Sequence, residues 1–298
     1  MASSEEVVDV EVARRKMKEW REEGYRNSDE VVEFGECLLL EHGNKLGDEL
    51  WTIHEQVFVA ALDSGRLDLA TSCLRALNKQ FPRSLRVKKL RGMRLEALED
   101  WENAKKIYEN ILAEDPANLI VRKRCIAVTK AQNNPYETVK ELTEYLDVFM
   151  SDQEAWMELA DLYISLQEYH KAAFCLEELI LTHPHNHLYH QRYAEIHYTI
   201  GTSDSIELSR KYFAQAYKLD PNNIRALYGL FLCFSSQNSN MKSNPKSKKN
   251  NTRYSHWAAQ EIIEKYSTER HGKSAEQMSA LEHMFDSMQL SLPTNIPE

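Results

Sequence analysis

The densest cluster of reactive side chains is His183-Pro184-His185-Asn186-His187, followed by His190. Imidazoles at this density have the donor type that zinc or copper takes. The same run also reads as a polar turn leading into a helix, and alternate residues of such a turn point in different directions. No carboxylate or cysteine completes a catalytic arrangement around it, so the expectation is no metal site. The cysteines, Cys37, Cys73, Cys125, Cys175 and Cys233, are odd in number, far apart and form no C-x-x-C pair. Each lies in an apolar helical context, which predicts reduced, buried thiols rather than a disulfide framework or zinc site. A glycine-rich phosphate loop, a nucleophile elbow and an H-E-x-x-H helix are all missing. The sequence therefore predicts no catalytic residues, no cofactor and no enzymatic activity.

What must be positioned is instead a surface, and the prolines show how. Pro82, Pro116, Pro184 and Pro221 each follow an apolar helical stretch, at intervals of 34, 68 and 37 residues. A 34-residue period is that of the tetratricopeptide repeat, a pair of helices that cannot bury its apolar face alone and stacks on its neighbours. With each proline at position 32, the unit 153–186 carries Trp156 at 4, Ala160 at 8, Tyr163 at 11 and Ala172 at 20. The unit 85–118 carries Gly92 at 8, Ala104 at 20 and Tyr108 at 24. Positions 8 and 20 are where helices A and B meet, so only small residues fit there, and larger ones at 4, 7, 11 and 24 fill the gap beside them. Gly92, Trp156, Ala160, Tyr163 and Ala172 are accordingly the expected repeat-packing residues. The unit 187–223 holds three extra residues, which the sequence suggests lie in the turn Gly201-Thr202-Ser203-Asp204.

The predicted fold is all-α, a right-handed superhelical tetratricopeptide-repeat solenoid with helical caps. Residues 1–50 read as N-terminal capping helices over 10–22 and 28–45, the second capped by Asn27-Ser28. Residues 51–234 hold about five and a half repeats. Residues 235–254, rich in Ser, Asn and Lys, read as a flexible basic loop. Residues 255–298 read as a completing helix around Trp257, a last amphipathic helix from Ser274 to about Leu290, and a tail. Net charge is −9, which disfavours nucleic acid. The longest apolar run, Tyr228 to Phe234, is seven residues, far short of the ~20 that span a bilayer. The acidic N-terminus lacks a signal-peptide pattern, which predicts a cytosolic chain that reaches membranes only through partners.

Helix A of each repeat presents positions 2, 5, 9 and 12 to a groove. There the sequence offers Arg86, Lys89, Lys123 and Lys130 in the middle and Glu154, Met157, Asp161 and Tyr198 further on. These are the expected partner-binding residues. The alternative reading is a soluble co-chaperone or adaptor that binds peptide segments in its groove. Hsp70 and Hsp90 co-chaperones grip a terminal carboxylate with lysine and asparagine. Lys89 fits that clamp, but Met93 and Ala127 replace the asparagines, and Glu154 and Glu158 reverse the charge.

Several runs go beyond the generic repeat. They include Lys18-Glu-Trp-Arg-Glu-Glu23, Asp152-Gln-Glu-Ala-Trp156, Ala172-Ala-Phe-Cys-Leu-Glu-Glu-Leu179 and Glu207-Leu-Ser-Arg-Lys-Tyr-Phe-Ala-Gln-Ala216. In these the sequence resembles the family of subunit 2 of the endoplasmic reticulum membrane protein complex, over nearly the whole chain. The resemblance implies a non-catalytic cytosolic scaffold in a membrane insertase for tail-anchored and other weakly hydrophobic segments. It implies a peripheral location on the cytoplasmic side of the endoplasmic reticulum. The implied partners are the cytosolic subunit 8 or 9 and the cytosolic parts of subunits 3 and 5.

Overall fold

In a computed structural model, described over residues 10–240, 245–268, 279–281 and 283–285, the regular elements are helical. The helices are α1 (Val10–Glu23), α2 (Ser28–Glu41), α3 (Glu49–Asp63), α4 (Leu67–Gln80), α5 (Leu85–Ala97), α6 (Trp101–Glu114) and α7 (Leu119–Ala131). They continue as α8 (Pro135–Val148), α9 (Gln153–Ser165), α10 (Tyr169–Thr182), α11 (His187–Ile200), α12 (Ser203–Leu219), α13 (Ile224–Asn240) and α14 (Pro245–Thr268). From α3 onward they alternate as A and B helices. The fold is the all-α tetratricopeptide repeat.

One backbone feature sets the register. Gly65, Glu99, Asn133, Gln167 and Gly201 have φ of +73°, +58°, +58°, +61° and +75°, and each lies 34 residues after the last. A left-handed residue just past helix A lets the chain reverse at once into helix B. The reversal is closed by backbone bonds from Arg66 N–H to Ala61 C=O (2.7 Å), Asp100 to Leu95 (2.9 Å) and Glu168 to Tyr163 (2.9 Å). The A helices start on the same period, at Ser84, Asn118, Asp152 and Asn186. The last three accept backbone N–H bonds through their side chains, the ordinary N-cap arrangement.

This register corrects one expectation. The interval from Gln167 to Gly201 is still 34, so the three extra residues lie beyond the Gly201 turn. They lengthen α12 to 17 residues, where α4, α6, α8 and α10 have 14.

The expected loop 235–254 is also corrected. Residues 235–240 continue α13 and 245–254 open α14, while 241–244 lie outside the described residues. Tertiary contact overrides polar composition here. Phe234 stacks on Tyr254 at 5.4 Å, and Asn251 and Ser255 are buried. Pro245 takes the first helical position, where its missing N–H is not needed. In the N-terminal cap, α2 ends at Glu41 and a single 3-10 turn, Gly43–Lys45, follows, while the Asn27 side chain makes no capping bond. Of the expected last helix, only 279–281 and 283–285 fall within the described residues. They are helical, and Phe285 is buried against Phe231 (4.9 Å) and Tyr228 (6.0 Å).

The chain divides into two compact units, residues 1–138 and 139–298. The first has a core running from Met17, Leu38 and Phe58 to Leu77 and Leu90, and a second cluster around Ala104, Tyr108 and Ile111. Gly92 sits against Tyr108, so close that a Cβ there would clash with the tyrosine ring and its hydroxyl. The second unit has a core of Ala194, Phe213, Ala216, Leu227, Phe231 and Ile262. Ala160 and Ala172, in the same unit, are fully buried. Trp156 and Tyr163 are only half-buried. The Trp156 indole donates to the Met150 carbonyl (2.8 Å) and packs edge-on against Phe174, while Lys171 lies over the Tyr163 ring.

Two glycine substitutions separate turn strain from helix contact. Gly65→Ala meets nothing within 4 Å, so its cost is the left-handed backbone alone, about 1–2 kcal/mol. Gly92→Ala overpacks the A–B contact at Tyr108 and loses about 1–3 kcal/mol despite alanine's better helix propensity. Urea unfolding followed by circular dichroism measures both. Stability equal to wild type in either variant contradicts the corresponding assignment.

Candidate protein-binding groove

Within the first unit the caps and the first repeats build an open groove of about 880 Å³. Thr52, Glu55, Val59 and Leu62 of α3 line it, with Arg86, Met93 and Glu96 of α5 and Ala127 of α7. These are groove positions of the repeat. The cap adds Trp20, Tyr25, Arg26 and Ser28, so the end helices complete this surface as well as shielding a core.

The groove's charges are organised as ion pairs between successive A helices. Arg86 of α5 reaches Glu55 of α3 at 2.6 Å. Arg124 of α7 reaches Glu96 of α5 at 2.6 Å, and Glu96 also accepts the Tyr108 hydroxyl. At the rim, Arg26 grips both oxygens of Asp63 (2.6 and 2.8 Å), with Ser28 donating to the same carboxylate. Arg26 is the main reason the Asp63 carboxyl lies below its ordinary range. The face expected to be basic is thus largely neutralised. The second unit repeats the device: Arg192 of α11 pairs with Asp161 of α9, and Arg225 of α13 with Glu195 of α11 at 2.6 Å. Sequence reasoning missed Arg124, Arg192 and Arg225. The signal that finds them is a carboxylate followed 28–31 residues later by arginine.

The expected partner residues fall out unequally. Arg86 lines the groove and is exposed. Lys89 does not line the groove; it is half-buried on the same face of α5, between the charges of Glu55, Arg86 and Arg124. Burial lowers its pKa, Glu55 opposes that, and Arg124 and Arg86 lower it further. Lys123 and Lys130 are on α7 but do not line the groove. In the second unit Glu154 and Asp161 are exposed and Met157 is half-buried on α9. Tyr198 packs onto the core, which raises its pKa.

The histidine run is dispersed over separate neighbours. His183 contacts Gln153 (2.7 Å), His187 contacts Asn223 (2.9 Å), and buried His190 contacts the Pro184 carbonyl (2.8 Å). Among the described residues, no group of three His, Cys, Asp or Glu side chains is arranged to hold a metal ion. The cysteines are free thiols, with Cys73, Cys175 and Cys233 buried. Burial pushes Cys73 and Cys175 up to about 12.

Residues 77–212 match the family described as the EMC2 TPR-like repeat domain. The chain is 51% identical to ER membrane protein complex subunit 2-A of Xenopus laevis, over 98% of this chain and 99% of that protein. The chain belongs to the ER membrane protein complex subunit 2 family. Subunit 2 of Dictyostelium discoideum is 30% identical over 71% of this chain and 70% of that protein. Among solved structures, the C-terminal part of a TPR repeat-containing protein from Cytophaga hutchinsonii superposes with a TM-score of 0.59 at 13% identity. It covers 91% of this chain and 99% of that one, and this likeness bears on the fold alone. No described helix is long and apolar enough to cross a membrane.

Two half-buried histidines give the fold a pH dependence. Burial lowers the pKa of His54 and of His197 below the ordinary 6.5. The unfolded chain then binds more protons than the folded one just below that value. Stability is therefore full above about pH 6.5 and falls as pH drops toward the folded-state values. Melting temperatures from pH 7.5 to 5 are expected to decline, with a shallower slope in a His54→Gln, His197→Gln variant. Equal slopes would contradict the assignment.

Proposed function

We propose that this chain is a non-catalytic scaffold subunit of the endoplasmic reticulum membrane protein complex. It holds segments of other subunits on its A-helix faces and thereby supports insertion of tail-anchored and other weakly hydrophobic transmembrane segments. The observation that carries this reading is the extent of the identity: 51% over 98% of the chain, so that it takes in the cap residues that line the groove beside the repeats.

The groove supports the same reading. Its cross-helix ion pairs and interleaved apolar residues suit an extended or helical segment of a lasting partner. The sites where a carboxylate clamp needs asparagine carry Met93 and Ala127, both lining the groove, which disfavours the co-chaperone alternative. The partners proposed are the cytosolic subunit 8 or 9 and the cytosolic parts of subunits 3 and 5. The chain would sit peripherally on the cytoplasmic side of the endoplasmic reticulum, attached through those partners.

Tagged full-length protein purified from mild-detergent extracts tests this. The expected result is recovery of the other complex subunits in near-equal amounts. Recovery of Hsp70 or Hsp90 in their place, or of no partner, would overturn the reading.

A further inference from the structure

We propose that Lys89, beside the groove of the first unit, anchors an acidic side chain of a partner segment seated there, an aspartate or glutamate flanked by apolar residues. This rests on the scaffold reading above and names the chemistry of what that groove receives.

Helix geometry places the lysine. Arg86, Lys89, Met93 and Glu96 recur at i, i+3, i+7 and i+10 along α5, one face of a helix, and the other three line the groove. The surrounding charges are already matched. Arg86 is held by Glu55, Arg124 by Glu96, and Arg26 by Asp63. Among the described residues, no carboxylate forms an ion pair with Lys89. It is a half-buried cation with Glu55 and two guanidiniums around it; burial lowers its pKa most, Glu55 opposes that, and the guanidiniums lower it further. An incoming carboxylate relieves this repulsion and replaces water that Lys89 has already partly lost, so the pair would be stronger than one at an open surface.

The rest of the groove says what flanks that carboxylate. Val59, Leu62, Met93, Ala97 and Ala127 are apolar and line the same surface. A clamp for a chain-terminal carboxylate uses asparagine amides, and the two positions that would carry them hold Met93 and Ala127, which line the groove. A single acidic side chain between apolar ones matches the lining better.

The test uses the assembled complex, purified in mild detergent through the tagged full-length chain. A water-soluble carbodiimide joins amines to carboxylates that touch, and mass spectrometry locates the new amide. The expected product links Lys89 to an Asp or Glu side chain of another chain. Lys89→Met is expected to reduce recovery of that chain about tenfold, with Lys89→Arg retaining it and both variants melting like wild type. A link only to Glu55 or Glu96 of the same chain, or to a chain terminus, would overturn the proposal. So would wild-type recovery with Lys89→Met. Wild-type preparations that carry no partner would instead overturn the scaffold reading, and this proposal with it.

Discussion

The structure depends on a reversal that must be completed within two or three residues. At Gly65, Glu99, Asn133, Gln167 and Gly201 a left-handed backbone turns each A helix back along its B helix. Three of these positions carry a side chain, at a conformational cost of roughly 1 kcal/mol or more each, least for asparagine. That cost is offset by the helix–helix contact the turn makes possible. Gly92 can sit under the Tyr108 ring only because the turn between α5 and α6 brings the two helices so close. The fixed turn also keeps the A helices in step. Matching faces then recur, and an arginine on one A helix finds a carboxylate on the one before it within its unit.

Those ion pairs shape the charge of the groove more than the stability of the fold. Exposed pairs contribute about 0–1 kcal/mol each. Their larger effect is to cancel charge across the groove, so that recognition falls to apolar contact and to whatever charge stays unmatched. A surface of this kind favours one lasting partner segment over indiscriminate attraction of acidic or basic chains. The Trp20 to Ser28 segment of the cap lines the same groove, so the end of the solenoid builds part of that surface as well as covering a core.

Much of this was legible in the sequence. Small residues at positions 8 and 20, and prolines spaced 34, 68 and 37 residues apart, specify helix pairs and the approximate repeat period because both follow from steric limits. What escaped was set by tertiary contact. Only Gly65 and Gly201 of the five turn residues are glycines, so the strictest period was masked by Glu99, Asn133 and Gln167. The length added to α12 looked like turn because the sequence there opens with Gly, Thr and Ser. Residues 245–254 looked like loop because their composition is polar, whereas burial of Asn251 and Ser255 holds them in a helix. Repeat position alone puts Arg86 and Asp161 on the A-helix faces, but finding their cross-helix partners requires knowing which helices lie side by side. Tyr198 was placed on the groove by position alone, and its ring packs on the core.

The central claim is that the groove of the first unit is covered by a partner in the assembled complex. Hydroxyl-radical footprinting of the full chain, alone and within the purified complex, measures this directly. Tyr25, which is 62% exposed, and Met93 line the groove, whereas exposed Leu40 and Tyr136 do not. The account predicts that Tyr25 and Met93 lose most of their reactivity on assembly. Unchanged reactivity of both in the complex would contradict it.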